Sequence, residues 1–303
     1  MNTKVKELLE KTCDKYGISF NQAAREMGYS GPVLSAYRNG SYNGDIESIE
    51  NAVVVWAART EQAHARKKVP VVETSDLKKI VNAIGIAHTE KDIALIVADA
   101  GAGKSTAVRW YQEKNARTTL VINVVSGMNR KMLVTDIAKQ MGLDTVRVPL
   151  NTLIANTAEA LCERDMVVIL DEADYLKPDA LEFTRRLVYD LGKSGLVLVG
   201  LPRLKGYIQN LRNDHRQLES RIGVFLPLGG LTKADAKIIL AAVWPDAGSE
   251  ILDAIYSVSK TDTRQFCKII ERAENTMRIN KVDKPDLDII ELASRLVIRR
   301  NWR

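Results

Sequence analysis

Apolar and polar positions change their spacing along the chain, and the changes divide it into three segments. Residues 1–65 follow a helical period. The basic stretch HARKKVPVVE (64–73) interrupts that period with polar residues and a proline, which predicts a boundary. Residues 66–228 contain short apolar runs between helical patterns, and residues 229–303 are purely helical in pattern.

The middle segment contains five apolar runs of strand length. They alternate with amphipathic helical patterns, and this order predicts a parallel sheet with helices on both faces. The predicted fold is therefore α/β, with an all-α head before the core and a helical lid and C-terminal segment after it. The predicted strands are 93–98, 119–125, 166–170, 196–200 and 223–226, and the helices between them are about 104–115, 129–141, 152–164 and 179–191.

Composition excludes several classes of protein. With 303 residues, 46% of them hydrophobic, the chain can bury substantial cores, but no apolar run reaches the ~18 residues that span a bilayer. The N-terminal stretch MNTKVKELLEKTCDKYG lacks the apolar core of a secretory signal. The cysteines Cys13, Cys162 and Cys267 lie far apart, which argues against a disulfide framework or a zinc site. We expect a cytoplasmic protein without a membrane partner.

Net charge adds a candidate class of ligand. The formal charge is +6, which favours binding of a polyanion. The excess lies mainly in residues 66–228, with 24 basic against 19 acidic side chains, whereas residues 1–65 carry 7 against 8. A polyanion such as DNA would therefore find its counter-charges mainly in the middle segment.

The stretch IALIVADAGAGKST (93–106) is typical of a phosphate-binding loop. In G-x-x-x-x-G-K-[ST], backbone N–H groups and a helix N-terminus surround the phosphates, the lysine contacts them, and the next hydroxyl ligates Mg²⁺. Ala98 replaces the first glycine, which is tolerated if its φ is negative. We expect ATP binding despite this change. The residues predicted to hold the nucleotide are Asp99, Ala100, Gly101, Ala102, Gly103, Lys104, Ser105 and Thr106.

The run VVILDEADYL (167–176) places two carboxylates at the end of a predicted strand. Beside a phosphate loop, such a pair divides the work of metal-assisted phosphoryl transfer. Asp171 is predicted to hold Mg²⁺ together with Ser105, and Glu172 to activate the attacking water. Lys104 and Glu172 are thus candidate catalytic residues, with ATP and Mg²⁺ as cofactors.

The head contains SFNQAAREMGYSGPVLSAYRNG (19–40), a pattern that predicts a helix-turn-helix. Ala24 suits a helix crossing, Gly28 the turn, and Leu34 the packing of the second helix. Because the head is net acidic, a protein-docking role competes with DNA binding. The residues predicted to face DNA are Ser30, Ser35, Tyr37, Arg38 and Asn39.

In their order along the chain, these motifs resemble those of the AAA+ ATPases. More narrowly, the chain resembles the phage Mu transposition protein B family of target-DNA-selecting ATPases. The likeness runs nearly end to end. It includes GAGKST and VVILDEAD, and also YRNGSYNGD (37–45), VVETSDLKKI (71–80), GLVLVGLPRL (195–204) and ESRIG (219–223).

The resemblance implies further catalytic residues. AAA+ proteins place a polar sensor at the end of the fourth core strand, where this chain has Leu201. Slow hydrolysis, or hydrolysis stimulated by DNA or a partner, is therefore expected. An arginine from a neighbouring subunit completes such sites, and Arg221 matches best, with Arg216 and Arg212 as reserves. Arg264 matches a second sensing arginine at the start of a lid helix.

The resemblance also orders the candidate DNA contacts. Arg130 and Lys131 come first, because the loop after the second strand lines the central channel in related ATPases. Arg203 and Lys205 come next, followed by Arg147. Asn123 is either a link between Glu172 and bound DNA or a simple strand residue. The basic end RLVIRRNWR (295–303), with Trp302, could contact phosphate, transposase or solvent, and all such contacts would tolerate any DNA sequence.

The resemblance implies an ATP-dependent, largely sequence-nonspecific ATPase that binds double-stranded DNA. It would assemble on target DNA as a helical filament, deliver that DNA to a transposase and stimulate strand transfer. One alternative is another DNA-associated AAA+ ATPase, such as a replication initiator or helicase loader, which would bind origins or helicases as a compact ring. The other is a non-enzymatic helix-turn-helix regulator, which would bind a specific sequence whether or not ATP is present.

Overall fold

The computed structural model describes residues 2–64, 68–209 and 216–295, apart from the side chains of Gln62, Arg216 and Gln217. The chain divides into two compact units. One contains residues 1–68 and 274–281, and the other contains residues 69–273 and 282–303. Among the described helices, none combines the length and the apolar character needed to cross a bilayer.

The head is a cluster of helices around its own apolar core. Ala24 and Leu34 are fully buried, and Gly28 takes a left-handed φ of 81° in the turn between the second and third helices. This is the local geometry that the sequence predicts, although contact with DNA stays a prediction. The helices are α1 (Thr3–Tyr16), α2 (Phe20–Glu26), α3 (Gly31–Arg38) and α4 (Ile46–His64).

One predicted DNA-facing residue of the head is wrong. Tyr37 is 1% exposed and belongs to the core, where its hydroxyl donates to Glu50. Burial raises the pKa of Tyr37 to about 12, with the Glu50 carboxylate adding to the shift. The other surface candidates of α3 are exposed or half-buried, and Arg38 lies over the ring of Phe20 and beside Glu10.

The larger unit contains a parallel sheet of five strands in the order β2-β3-β4-β1-β5. The predicted α/β fold is confirmed, and each strand lies within two residues of its predicted bounds. The strands are β1 (Ile93–Val97), β2 (Thr119–Asn123), β3 (Val167–Asp171), β4 (Gly195–Gly200) and β5 (Ile222–Pro227).

Helices cover both faces of this sheet, which explains why the central strands are apolar throughout. Every residue of β1, β3 and β4 is buried, as expected for strands packed on both faces. The covering helices are α5 (Ser75–Glu90), α6 (Lys104–Lys114), α7 (Arg130–Gln140), α8 (Leu150–Glu163), α9 (Pro178–Thr184), α10 (Arg203–Gln209) and α11 (Arg216–Glu219). A 3₁₀ turn spans Ala173–Tyr175 and a π-helical stretch spans Arg185–Leu191.

The helical segment after the sheet begins at a capped helix. Thr232 caps it by accepting the N–H of Asp235. The helices are α12 (Lys233–Ala241), α13 (Ser249–Ser259), α14 (Thr263–Asn280) and α15 (Leu287–Arg295). Arg295, the first residue of the basic C-terminal end, closes α15, whereas residues 296–303 with Trp302, like the reserve Arg212, lie outside the described residues.

The strand register brings the predicted site motifs to one edge of the sheet. Val97, at the end of β1, pairs with Gly200 at the end of β4, and Asn123 of β2 pairs with Asp171 of β3. In open parallel sheets, ligands bind at the carboxyl ends of the strands. The phosphate loop, the carboxylate pair and Leu201 therefore leave the sheet on the same side.

We expect Gly195→Ala to destabilise the larger unit, because β4 passes close to the backbone of α5. An added Cβ would overlap the carbonyl oxygen of Ala87 and lie 2.8 Å from its carbonyl carbon. Separating α5 from the sheet should cost about 1–3 kcal/mol of unfolding free energy. The midpoint of urea unfolding measures this change.

Gly85→Ala is the matched control, because it lies in α5 and a Cβ there would meet nothing within 4 Å. In a helix this change should be neutral or stabilise by about 0.5–1 kcal/mol. Equal shifts of the unfolding midpoint in the two variants would contradict the close approach of β4 and α5.

Candidate nucleotide site

The loop after β1 has the backbone geometry of a phosphate cradle. Gly101 and Gly103 take left-handed φ values of 86° and 88°, which glycine adopts without strain. Ala98 is buried, its φ lies outside the left-handed region, and its N–H donates to the carbonyl of Gly200 at 3.2 Å. Because Ala98 continues the extended backbone of β1, its methyl group does not disturb the turn.

Lys104 opens α6 and holds the loop together. Its ammonium donates to the carbonyl oxygens of Ala98 and Asp99 at 2.7 and 2.9 Å. Burial lowers the pKa of Lys104, while the nearby charges of Asp171, Asp174 and Asp99 act in the opposite direction. The site is therefore a partly desolvated cationic position at a helix N-terminus, where an anion is favoured.

The carboxylate pair lies where β3 ends. Asp171 is buried and accepts the N–H of Glu172 at 3.0 Å. Glu172 is exposed and has a left-handed φ of 59°. A non-glycine residue in this region costs ~1 kcal/mol or more, and such residues cluster at functional sites. Both residues line the cavity, Asp171 from a buried position at the end of the strand and Glu172 from an exposed one.

The end of β4 carries no polar sensor, but a buried carboxylate lies beside it. Asp174, whose side chain is 3% exposed, accepts the N–H of Leu201 at 3.1 Å. It also accepts two guanidinium bonds from Arg203, from Nε at 2.8 Å and from Nη2 at 2.6 Å. Asp174 thus joins the exits of β3 and β4 and fixes Arg203 at the surface.

The start of α14 covers the phosphate loop. The N–H of Arg264 donates to the carbonyl of Gly101 at 3.1 Å. Asp262 caps this helix by accepting the N–H of Gln265 at 3.0 Å, and its carboxylate lies so close to Gly101 that a Cβ there would overlap it. The predicted sensing arginine therefore begins a helix in direct contact with the loop.

Another part of the cavity lining is fixed by Asp235, which is 3% exposed. Its carboxylate accepts the N–H and hydroxyl of Ser75, at the start of α5, at 2.7 and 2.6 Å, and the hydroxyl of Thr232 at 2.9 Å. Burial would raise the pKa of Asp235, but these hydrogen bonds outweigh it and lower the pKa. A single buried carboxylate thus links α5 to α12.

These elements enclose a cavity of about 530 Å³. Its polar lining includes the phosphate loop, Asp171, Glu172, Asp174 and Arg264, together with Asp76, Asp235, Lys268 and Glu271. Its apolar lining comes from segment 69–72, Leu77, Ile80, Leu231, Ile239 and Cys267. A cavity that combines a cationic phosphate loop with apolar surface fits a phosphorylated ligand with a flat aromatic part.

The donor set of the cavity fits Mg²⁺ bound together with phosphates. The Ser105 hydroxyl and the Asp171 carboxylate line the same cavity and supply the hard oxygen ligands that Mg²⁺ prefers. Among the described residues, no group of three or more His, Cys, Asp or Glu side chains is arranged to hold a metal. Mg²⁺ is usually bound by one or two protein ligands and by substrate phosphates, so it would arrive with the nucleotide.

The structure brings most of the predicted nucleotide residues together and places the others elsewhere. Arg221 does not line the cavity and forms an ion pair with Asp190, and Arg216 has no described side chain. Asn123 lies at the exposed end of β2. The lining residues from the predicted set are Ala100, Gly101, Ala102, Gly103, Lys104, Ser105, Thr106, Asp171, Glu172 and Arg264.

The predicted DNA contacts are all exposed basic residues, with one correction of position. Arg130 and Lys131 do not lie in a loop: they begin α7, which Asn129 caps by accepting the N–H of Met132 at 3.0 Å. Arg130 also pairs with Asp179 at 3.1 Å. Both residues thus belong to the helix that the sequence predicts at about 129–141, and not to a loop after the second strand. Arg203 pairs with Asp174, Lys205 lies over the ring of Phe225, and Arg147 lies between α7 and α8 with a left-handed φ of 57°.

Sequence reasoning missed Asp174 and Asp235. The run DEAD offered a signal for Asp174, because a third acidic residue follows the catalytic pair. Asp235 looks like an ordinary helix-start residue, and its bond to Ser75 joins positions 160 residues apart. No local pattern reports such a contact.

Residues 87–208 match a family model described as AAA domain. The ATP-dependent target DNA activator B of Escherichia phage Mu is 28% identical over 254 residues, which cover 80% of this chain and 78% of that protein. The Mu-like prophage FluMu DNA transposition protein B of Haemophilus influenzae is 28% identical over 246 residues, covering 79% and 85%.

A solved structure shares the fold. The ORC2 protein of Aeropyrum pernix superposes with a TM-score of 0.60 over 77% of this chain and 70% of that chain, at 16% identity. Together these comparisons confirm the AAA+ fold and the predicted resemblance to the phage Mu transposition protein B family. The match to an AAA domain also supports nucleotide binding by this chain.

We expect Lys104→Ala to weaken ATP binding about tenfold to a hundredfold, because a charged hydrogen-bond donor to phosphate is lost. A fluorescent ATP analogue measures the change. Lys114→Ala is the matched control, since Lys114 ends the same helix with its ammonium over the ring of Trp110. If both variants bind ATP equally well, the loop is not the phosphate site.

The reactivity of the Cys267 thiol provides a test of whether unmodified nucleotide occupies the cavity. Burial raises the pKa of its thiol to about 11, with Glu271 and Asp262 adding to the shift. Because the thiolate is the reactive form, alkylation at pH 8 should modify exposed Cys162 first, and alkylation of Cys267 should speed up as the pH rises toward 11. Mass spectrometry of iodoacetamide-treated protein follows each thiol.

MgATP should slow the modification of Cys267 and leave that of Cys162 unchanged, because only Cys267 lines the cavity. Equal protection of the two thiols, or no protection of either, would show that the nucleotide does not occupy this cavity.

Proposed function

We propose that this protein is an ATP-dependent, sequence-tolerant DNA-binding ATPase that assembles on target DNA and delivers it to a transposase. The observation that carries the proposal is the convergence of the phosphate loop, the carboxylate pair and Arg264 on one cavity in a chain similar to target DNA activators. The proposed division of labour is a helix-turn-helix head (1–65), an ATPase core (66–228) and a helical lid with the C-terminal segment (229–303).

Each residue of the cavity has a proposed part in hydrolysis. Backbone N–H groups of residues 99–106 surround the phosphates, and Lys104 neutralises charge on the outer ones. Ser105 and Asp171 hold Mg²⁺, which stabilises the charge that develops during phosphoryl transfer. Glu172 orients and deprotonates the attacking water, and Arg264 senses the phosphates from the lid. Leucine at position 201 cannot position water, which supports slow hydrolysis that DNA or a partner stimulates.

Arg221 is proposed to act on a neighbouring protomer. It does not line the cavity of its own chain, and its side chain is 40% exposed just before edge strand β5. An arginine supplied in trans to the γ-phosphate makes self-association depend on ATP. Assembly into a filament on DNA, and its release after hydrolysis, follow from this dependence.

DNA contacts are proposed for the exposed basic residues of the core. Arg130 and Lys131 begin α7 near the end of β2, so their charges can face a duplex from the surface of the sheet's carboxyl edge. Arg203, Lys205 and Arg147 would add phosphate contacts. Contacts to phosphate carry no sequence information, which agrees with a protein that selects target DNA broadly.

The decisive experiment measures binding to random-sequence duplex DNA by the full chain with ATP, ADP or no nucleotide. We expect tight binding and filaments in electron micrographs with ATP only. Lys104→Ala should lose both. Glu172→Gln should retain nucleotide and stay assembled, because it keeps the loop but lacks the base that ends the ATP state.

Two outcomes would contradict the proposal. Equal binding with all nucleotides, and by Lys104→Ala, would favour a sequence-specific regulator whose nucleotide site has no role. Compact rings that bind only one DNA sequence would favour an initiator or helicase loader. If filaments form as expected, stimulation of strand transfer by a purified transposase is the final test.

A further inference from the structure

The π-helical stretch Arg185–Leu191 directly follows α9, and none of its residues lines the cavity. A π-helix is rare, and short π turns are frequent at functional sites. Its hydrogen bonds skip one residue more than those of an α-helix, so side chains that an α-helix would separate come to lie on one face. In this stretch the two side chains are Arg185 and Asp190.

Arg185 is a buried charge, with a side chain only 2% exposed. Its guanidinium donates to Glu182 from Nε at 2.9 Å and from Nη2 at 2.5 Å, and to Asp190 from Nη1 at 2.5 Å. Burial would lower the pKa of Arg185, but these carboxylates outweigh it and raise the pKa. A guanidinium so enclosed holds the carboxylate of Asp190 in one place.

The second oxygen of Asp190 accepts a hydrogen bond from Nη1 of Arg221. The four side chains therefore form a chain of alternating charge, from Glu182 through Arg185 and Asp190 to Arg221. Its inner guanidinium, that of Arg185, is buried, and its last guanidinium, that of Arg221, belongs to a side chain that is 40% exposed. The ring of Tyr189 lies 5.8 Å below the guanidinium carbon of Arg221.

We propose that Asp190 is a positioning residue that orients Arg221 for the nucleotide site of a neighbouring protomer, an inference that rests on the trans role proposed for Arg221. A long arginine side chain at a surface loses rotamer freedom when it binds phosphate. A carboxylate held by buried Arg185 restricts that freedom before assembly. Because the bond uses one nitrogen of a guanidinium with several N–H donors, Arg221 keeps donors for phosphate.

The exposure of Arg221 distinguishes positioning from sequestration. If Asp190 hid Arg221 from a neighbour, the guanidinium would be covered, but its side chain remains 40% exposed. Sequestration predicts that loss of the carboxylate speeds up hydrolysis, and positioning predicts that it slows hydrolysis. The two roles therefore give opposite signs in one assay.

The test measures DNA-stimulated ATP hydrolysis by full-length variants, with ATP binding by dilute protein measured in parallel. We expect Arg221→Ala to reduce hydrolysis about tenfold or more. Asp190→Asn should reduce it about five- to twentyfold, and the double variant should be no slower than Arg221→Ala, because both changes remove one interaction. ATP binding by dilute Asp190→Asn should stay within about twofold of that of the wild type, since Asp190 does not line the cavity.

Mixing of protomers gives a readout that a merely structural defect would not move. Glu172→Gln protomers cannot hydrolyse ATP but carry an intact Arg221 and Asp190. When they are mixed with Asp190→Asn protomers, they should supply the correctly oriented arginine in trans and restore hydrolysis at the Asp190→Asn sites. Mixing with a Glu172→Gln/Arg221→Ala variant should restore nothing.

Asp165→Asn is the matched control, because Asp165 makes an exposed ion pair with Lys91 at 3.6 Å, and we expect wild-type hydrolysis from it. If Asp190→Asn fails to fold, Asp190→Glu keeps the charge facing Arg185 but moves the carboxylate, and it should show the same slow hydrolysis and the same rescue by mixing. Circular dichroism and thermal unfolding establish which variants are folded.

The outcomes distinguish failure of the trans role proposed for Arg221 from failure of the positioning role proposed for Asp190. Wild-type hydrolysis by Arg221→Ala would remove the trans role of Arg221 and this inference with it. Slow hydrolysis by Arg221→Ala, with wild-type or faster hydrolysis by the folded Asp190 variants, would overturn the inference alone. Absence of rescue in the mixed protomers would also overturn it.

Discussion

The site depends on burial of the central strands on both faces. Because every residue of β1, β3 and β4 is enclosed by helices, a shift of one of these strands along its axis would draw polar residues from its end into the apolar layer. The register in turn places the ends of the three strands together. Strand register thereby positions the phosphate loop, the Asp171–Glu172 pair and the contacts of Asp174 next to one another. The apolar interior of the sheet thus determines the geometry of its polar carboxyl edge.

Two buried carboxylates fix the positions of elements that lie outside the strands. Asp174 joins the exits of β3 and β4, and Asp235 joins α5 to the start of α12. Both are fully engaged by donors, as a buried charge must be if it is to stabilise rather than disrupt. They act differently from the residues that would touch nucleotide, since each fixes the distance between two elements and leaves the chemistry to its neighbours.

The sequence alone could predict those features that depend on residues close together along the chain. The apolar runs gave every strand of the sheet, and the loop between Ala98 and Thr106 could be assigned because its spacing carries its own geometry. The sequence also predicted the turn at Gly28. Prediction from sequence failed where a side chain suits two environments. Tyr37 is polar enough to face DNA and large enough to fill a core, and only the packing of the surrounding helices determines which position it takes. The Asp190 pairing and the π stretch depend on contacts whose partners no period or motif identifies.

The connectivity of the sheet has a consequence for the nascent chain. β1 carries the phosphate loop, but both of its neighbours come much later in the sequence, at β4 and β5. Before residues 195–200 leave the ribosome, β2 and β3 are already available and can pair with each other. At that stage β1 has no neighbouring strand with which to pair. The phosphate loop therefore gains its neighbouring strands only late in synthesis, and until then the apolar strand β1 needs protection from other chains.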